Sequence, residues 1–371
     1  QAEDGIRDGI VRLVGSEMCI RDRTNHLDME SIEWLVELLK GYAGTLITIS
    51  HDRFFLNQVC THIADLDYHE IRMFPGNYDD FTIASLEARE HQEKANKKVE
   101  KQAHDLKAFI SRFSSNASKA KQATSRKKQL DKLDMTKIKP SSRVSPFIRF
   151  TPKNRLGDKV IDAKSISKSY DEDLFRDFSC VIGPEERVAI IGKNGIGKTT
   201  LLKILCDQLK SDTGRVKFGE TVEIGMFPQD ASHILDPKVS ALEWLGRFGN
   251  GEYNEVELRS FMGRMLFRGE DVMKKIGVLS GGEKARLLFS KMTMEGGNVL
   301  ALDEPTNHLD LESIEALNFG LSLFPNTLLF VSHDHRFIAT LATRIIEITE
   351  TKIIDYPGTL DDYEALKKTN K

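Results

Sequence analysis

Three short apolar runs divide the second half of the chain: Val188-Ala189-Ile190-Ile191, Val299-Leu300-Ala301-Leu302 and Leu328-Leu329-Phe330-Val331. None alternates with polar residues, so each predicts a strand buried on both faces, as in a parallel sheet covered by helices. Leu201-Leu202-Lys203-Ile204-Leu205 and Lys284 to Phe289 carry apolar residues at helical spacing. Strands and helices alternating in this order predict an α/β fold with a parallel sheet core. A different pattern lies between residues 88 and 133. Ala88, Ala95, Val99, Leu106, Ile110 and Phe113 form one narrow stripe at spacings of 7, 4, 7, 4 and 3. This predicts a single long helix, about 45 Å for roughly 30 residues. Ser114-Ser115-Asn116 breaks it, and a second stripe through Ala120, Ala123, Leu130 and Leu133 predicts an antiparallel helical hairpin. Pro140 and Pro146 end this region, and strand-like sequence resumes near Lys159.

The first apolar run opens into Gly192-Lys193-Asn194-Gly195-Ile196-Gly197-Lys198-Thr199, followed by Thr200 and a helix. Strand, glycine-rich turn and helix in this order form a phosphate-binding loop. Glycines let consecutive backbone N–H groups turn inward on phosphate oxygens, and the helix adds its positive end. Lys198 reaches the β- and γ-phosphates, and the Thr199 hydroxyl holds Mg²⁺. The expectation is a nucleoside triphosphate site.

The chain also repeats itself. Thr24-Asn25-His26-Leu27-Asp28 recurs at Thr306-Asn307-His308-Leu309-Asp310, an offset of 282 residues. The same offset carries Ser50-His51-Asp52 onto Ser332-His333-Asp334 and Pro75-Gly76 onto Pro357-Gly358. The first copy is only the tail of the unit, because Met18 to Arg23 do not match Val299 to Pro305. Residues 1–23 show no strand or helix period and read as foreign sequence joined to a truncated gene, or as a divergent native N-terminus. The expected organisation is therefore 1–23 non-native, 24–81 a remnant of the first unit, 82–150 the helical linker and 151–371 a complete second unit.

Composition modifies this picture at two points. The net charge of −3 conceals a linker with 14 Lys and Arg against 5 Asp and Glu between His91 and Lys139. That surplus of 9 leaves −12 for the remainder. The hairpin tip gathers Arg112, Lys119, Lys121, Arg126, Lys127 and Lys128, either a solvated face or a stripe for a phosphate backbone. With few aromatics for stacking, structured RNA recognised by shape is the fitting nucleic acid. The four cysteines lie far apart with no Cys-x-x-Cys, which argues against a zinc or disulfide framework and suits a reducing cytosol. No apolar run reaches the ~20 residues needed to cross a bilayer. The expectation is a cytoplasmic protein.

The remaining chemistry follows the second unit in order. Asp303 and Glu304 end an apolar run: Asp303 is placed to hold Mg²⁺, and Glu304 to orient and deprotonate the attacking water. Ser280 and Gly282, in Leu279-Ser280-Gly281-Gly282-Glu283, open a helix, either as an anion-binding end or as a cap. His333 is placed to hydrogen-bond a γ-phosphate, and Gln229 to offer its amide oxygen to metal and water. Tyr170 is set either to stack on a base or to pack in the core. His91, His104, His233 and His335 show no ligand spacing and read as surface residues.

This ordered set of motifs resembles an ATP-binding cassette: a P-loop domain with a parallel sheet core and a helical subdomain, here preceded by a partial first cassette and a helical-hairpin linker. The tandem arrangement and charged linker are similar to the ABC-F subfamily, and Phe109-Ile110-Ser111-Arg112-Phe113 with Ala123-Thr124-Ser125-Arg126 to its YbiT-like branch. The resemblance implies an ATPase of translation using ATP and Mg²⁺, partnered by the ribosome, with the linker against tRNA and rRNA. It also implies that ATP is held between two cassettes, the phosphate loop of one closing on the Ser280–Gly282 segment of the other. Asp28 and His51 are then expected to be left without a site, and hydrolysis to be slow unless a second cassette, the missing half or another copy, supplies the closure. The alternative is the ATP-binding subunit of a membrane transporter, which gives the basic hairpin no role.

Overall fold

The computed structural model describes residues 17–21, 27–67, 70–113, 125–130, 144–170, 173–249 and 251–369. They fall into two compact units, residues 1–55 with 144–371 and residues 56–143.

In the larger unit, β1 (Glu17–Arg21) pairs in parallel with β2 (Thr45–Ile49), and α1 (Met29–Lys40) connects them. β1 lies within residues 1–23, the stretch whose sequence shows no strand or helix period. Three apolar residues are too few to show a period, but β2 offers a hydrogen-bonding edge. Its register is informative. Glu17 stands opposite Thr45, and 282 residues later Val299 stands opposite Thr327. Arg21 thus fills the position that Asp303 fills in the second copy. α2 (Arg53–Val59) follows and buries Phe55.

The smaller unit contains an antiparallel hairpin of β3 (His62–Asp67) and β4 (Glu70–Pro75), then α3 (Tyr78–Phe113). At 36 residues, α3 exceeds the expected length because it starts earlier. Asn77 Oδ1 accepts from the backbone N–H of Asp79 and Asp80, and Asp80 returns a bond to Asn77 N–H, which sets the helix start there. Among the described side chains, Val99, Leu106 and Ile110 are half-buried and Ala103 is buried on α3, while Ala88 is exposed. Residues 125–130 are helical. The expected turn between the two helices lies outside the described residues.

The rest of the larger unit is built on β5 (Ile161–Ser169), β6 (Asp173–Ile182), β7 (Arg187–Gly192), α4 (Lys198–Leu205), β8 (Thr213–Phe218) and β9 (Ile224–Phe227). Three helices follow, α5 (Ala241–Arg247), α6 (Glu255–Arg264) and α7 (Gly281–Glu295), which supply the helical subdomain. Then come β10 (Val299–Asp303), α8 (Leu311–Ser322), β11 (Thr327–Val331), α9 (His335–Leu341), β12 (Arg344–Ile348), β13 (Ile353–Tyr356) and α10 (Leu360–Thr369). The main sheet has the order β13-β12-β7-β11-β10-β9, parallel except for β13. All five residues of β10 and of β11 are buried, as their unbroken apolar runs require. A smaller antiparallel sheet, β6-β5-β8, packs its inner face on α4 and the underside of the main sheet. Residues 144–150 lead into this unit, with Ile148 and Phe150 inside its core. Among the described residues, no helix is long and apolar enough to cross a membrane.

Candidate functional site

The parallel strands β7, β10 and β11 end side by side, so the loops after them converge on one edge. The loop after β7 turns at Gly192, which has φ +142°, where a Cβ would lie 2.5 Å from the Ile348 carbonyl oxygen. Gly197, at φ +107°, is the N-cap of α4 and brings no side-chain acceptor to it. The first N–H groups of α4 are therefore left for a ligand. Lys198 is buried at 6% exposure, and its ammonium donates to the Gly192 and Lys193 carbonyls at 2.8 Å each. Burial lowers its pKa, against the opposing pull of Glu304, Asp28 and Asp303. Thr199 and Thr200 follow at half-buried positions in the first turn.

The loop after β10 brings the acidic pair to the same place. The Thr199 hydroxyl donates to Asp303 Oδ1 at 3.0 Å. Asp303 is fully buried and its Oδ2 accepts no hydrogen bond. Glu304 takes the left-handed conformation at φ +50°, an uncommon state for a glutamate, while its backbone N–H donates to Val331 O at 2.9 Å. Its side chain is 4% exposed, and neither carboxylate oxygen accepts a well-formed hydrogen bond. Burial pushes the Glu304 carboxyl up to about 7, with Lys198 pulling it down and Asp303 pushing it further up. The loop after β11 contributes His333, whose Nε2 lies 3.2 Å from Glu304 Oε1. Burial, then Lys198, pushes the imidazole down to about 4, so it is neutral at pH 7. β9 pairs Phe227 with Leu302, so exposed Gln229 leaves the sheet edge at the level of the acidic pair.

An orphaned carboxylate oxygen beside a threonine hydroxyl, at the mouth of a phosphate loop, fits the donor set of Mg²⁺. Tyr170 is 63% exposed just beyond β5, with the Lys168 ammonium 5.5 Å from its ring centre. It is not a core residue, which leaves base stacking as its open role. Ser280 and Gly282 stand apart from this cluster. The Ser280 hydroxyl accepts from Glu283 N–H at 3.3 Å and Glu283 accepts from Ser280 N–H at 2.7 Å, a reciprocal cap on α7. Gly281 and Gly282 pack against His308, close enough that a Cβ on either would meet it at 3.0 Å. Arg112, Arg126, Lys127 and Lys128 are exposed, while Lys119 and Lys121 lie outside the described residues.

Two expectations are corrected. Asp28 is not left without a site: its Oδ1 accepts from Ser31 N–H at 2.9 Å as the cap of α1, and its Oδ2 accepts from Asn194 N–H in the phosphate loop at 3.3 Å. Burial raises its pKa, but the bonds to Ser31 and Asn194 outweigh this and hold it below the usual carboxylate range. His51 likewise lines a small cavity of about 30 Å³ together with Asp52, Thr306, Asn307, His333 and Asp334. The remnant's repeat residues meet the complete copy's own. The repeat was the signal that could have found them, since both copies of one loop belong to one kind of site. The other correction concerns His335. It is half-buried, its Nε2 2.9 Å from Glu364 Oε1 and its ring stacked on Phe54 at 5.2 Å.

Two family models, both described as ABC transporter, match residues 64–150 and 175–307. The chain is 45% identical over 347 residues to the probable ATP-binding protein YbiT of Escherichia coli O157:H7, covering 93% of this chain and 66% of that protein. It is 37% identical over 358 residues to the energy-dependent translational throttle protein EttA of Haemophilus influenzae, covering 95% of this chain and 63% of that one. The ABC transporter F family member 5 of Arabidopsis thaliana is 35% identical over 360 residues, with 96% of this chain and 52% of that protein covered. The chain thus spans between about half and two thirds of the length of these relatives.

Proposed function

Because the chain belongs to the ATP-binding cassette family, in its ABC-F branch, we propose that it binds MgATP at Gly192–Thr200 and hydrolyses it, and that it acts on the ribosome in translation. The observation that carries the hydrolytic part is Glu304, a buried carboxyl whose oxygens accept no well-formed hydrogen bond, held beside Lys198 and His333 at the helix end where a γ-phosphate would lie. Loop N–H groups and Lys198 bind the phosphates. Asp303, Thr199 and Gln229 would hold Mg²⁺, which supplies charge neutralisation on the β- and γ-phosphate oxygens. Glu304 accepts a proton from water as the water oxygen bonds to the γ-phosphorus, and the bond to the bridging oxygen breaks to release ADP. Neutral His333 orients the γ-phosphate through a ring N–H. Tyr170 stacks on the adenine. Ser280 and Gly282, in a second cassette's loop, close over the phosphates from the other side.

The translational part is supported by the name of the EttA relative and by the basic linker. Its exposed tip charges, Arg112 and Arg126 to Lys128 among the described residues, suit tRNA or rRNA phosphates. The test is pelleting of the chain with ribosomes, with and without MgATP, using wild type, Glu304→Gln and a variant with all six tip cations replaced by Gln. ATP-dependent pelleting, strengthened by Glu304→Gln and abolished at the tip variant, is expected. Nucleotide binding without any pelleting would overturn the translational reading and favour an ATP-binding subunit of a transporter.

A further inference from the structure

The last helix of the chain reaches back to the phosphate loop through one buried glutamate. Glu347 lies on β12 at 8% exposure, an unusual place for a carboxylate on a strand of the central sheet. Its Oε2 accepts from the Tyr363 hydroxyl at 2.5 Å and its Oε1 from the Lys367 ammonium, both on α10. Tyr363 is itself 2% exposed, and the Lys367 ammonium sits 5.2 Å from its ring centre. Burial, then the bond to Glu347, pushes the phenol well above its ordinary range, so it remains a donor at all working pH values.

The strand that bears Glu347 ends against the first residue of the loop. In the β12–β7 ladder, Glu347 is opposite Ile191 and Ile348 is opposite Gly192. The Ile348 carbonyl oxygen fills the space where any Cβ on Gly192 would sit. No side chain of Gly192 can take up slack there, so movement of Ile348 displaces the loop backbone directly. Beyond it, the Lys193 ammonium pairs with Glu350 at 3.5 Å, in the turn that follows β12. A cavity of about 670 Å³ lies on this side of the loop, with Gly192, Lys193, Glu347, Tyr363 and Lys367 among its walls. Ile348 itself is buried between β7 and β13, so the tie through Glu347 adds to that packing on the face of β12 that borders the cavity.

We propose that Glu347 and Tyr363 are positioning residues for the nucleotide: the tie from α10 holds the end of β12, and with it Gly192, in the geometry that points the loop N–H groups at phosphate. This rests on the nucleotide site proposed above. A second anchor of the same helix provides the control, since Glu364 on α10 meets His335 Nε2 at 2.9 Å without touching Glu347. Loosening that anchor weakens the helix but leaves the tie to β12 intact.

The experiment measures binding of a fluorescent ADP analogue with Mg²⁺ to the full chain, alongside melting temperature without nucleotide. The proteins are wild type, Lys198→Ala, Tyr363→Phe, Glu347→Gln and Glu364→Gln. Wild type binds and Lys198→Ala does not, which reports on the nucleotide site itself. Tyr363→Phe removes one oxygen atom and is expected to weaken affinity by about five- to tenfold. Glu347→Gln should do at least as much, while Glu364→Gln binds like wild type even where its melting temperature falls. If Tyr363→Phe binds like wild type, the positioning role is overturned while the nucleotide site stands. If affinity merely follows melting temperature across Tyr363→Phe, Glu347→Gln and Glu364→Gln, the helix is structural only and the proposal also fails. Absence of binding by wild type would remove both readings.

Discussion

Glu304 is a cost to the fold as well as the proposed base, and the two roles can be separated by pH. Consider Glu304→Gln in the nucleotide-free chain with EDTA present. Below pH 4.5 the carboxyl is protonated whether the chain is folded or unfolded, so its ionisation has no effect on stability. Between pH 4.5 and about 7 the unfolded chain releases the proton and the folded chain keeps it. Above about 7 the folded chain must carry a buried carboxylate whose oxygens accept no well-formed hydrogen bond. The raised group therefore stabilises least at high pH: the penalty is under 1 kcal/mol near pH 5 and reaches about 3 kcal/mol by pH 9. The glutamine lacks that penalty. It brings two N–H donors, one of which the neutral His333 ring at 3.2 Å can accept, so most of the gain should survive. At roughly 2–4 °C per kcal/mol for a domain of this size, the variant should melt about 6–12 °C above wild type at pH 9. Near pH 5 it should melt within about 3 °C of wild type. Turnover, measured separately with Mg²⁺, should fall by ~10²–10⁴. A pH-independent difference, or a variant less stable at pH 9, would refute the account of Glu304 as an uncompensated buried carboxyl.

Other consequences follow from buried groups away from the phosphate loop. Burial, then Asp334, pushes Asp52 up to about 6, and its Oδ1 caps the following helix at Phe55 N–H. Asp52→Asn keeps that acceptor and removes the charge, so it should melt above wild type at pH 8 and alongside it at pH 4, by differential scanning fluorimetry. Burial pushes the Cys180 and Cys206 thiols up to about 12, leaving about one thiolate in 10⁴ at pH 8. Mass mapping after iodoacetamide treatment should find both unmodified in the folded chain and both modified in urea. Arg344 donates to Asp355, Glu186 and the Val181 carbonyl at 16% side-chain exposure. Arg344→Ala should cost about 1–3 kcal/mol by urea denaturation, because it removes charge-assisted hydrogen bonds to Asp355, Glu186 and the Val181 carbonyl.

The parts of the fold that were legible in the sequence are those where burial on both faces leaves no choice of residue. β7, β10 and β11 read as strands because their central positions must all be apolar, and the loops after them announce themselves through glycine, carboxylate and histidine. The antiparallel sheet of β5, β6 and β8 was read only as strand-like sequence. Its ladders shift register between Ala163 and Ser169, and Ser165 and Asp177 take positive φ, so no clean alternation survives along the strands. Glu347 was not legible at all. A glutamate inside Arg344-Ile345-Ile346-Glu347-Ile348 looks like an exposed strand position, and its partners lie on a helix that no local pattern connects to it.

The repeated pentapeptide shows where sequence stops determining function. Asp28 and Asp310 do one local job: each caps a helix by accepting from the serine three residues on, at 2.9 and 2.8 Å. That much follows from Asp-x-x-Ser in either copy, since the cap needs only an oxygen at the right distance from an N–H. The second bond of Asp28, to Asn194, does not follow from it. Its partner is 166 residues away, in a loop whose own residues are set by phosphate chemistry. It exists because β1 and β2 pair in the register of β10 and β11, which delivers the remnant's loop as a unit. The same short sequence thus acts as a cap by its composition and as a neighbour of the phosphate loop by its place in the repeat.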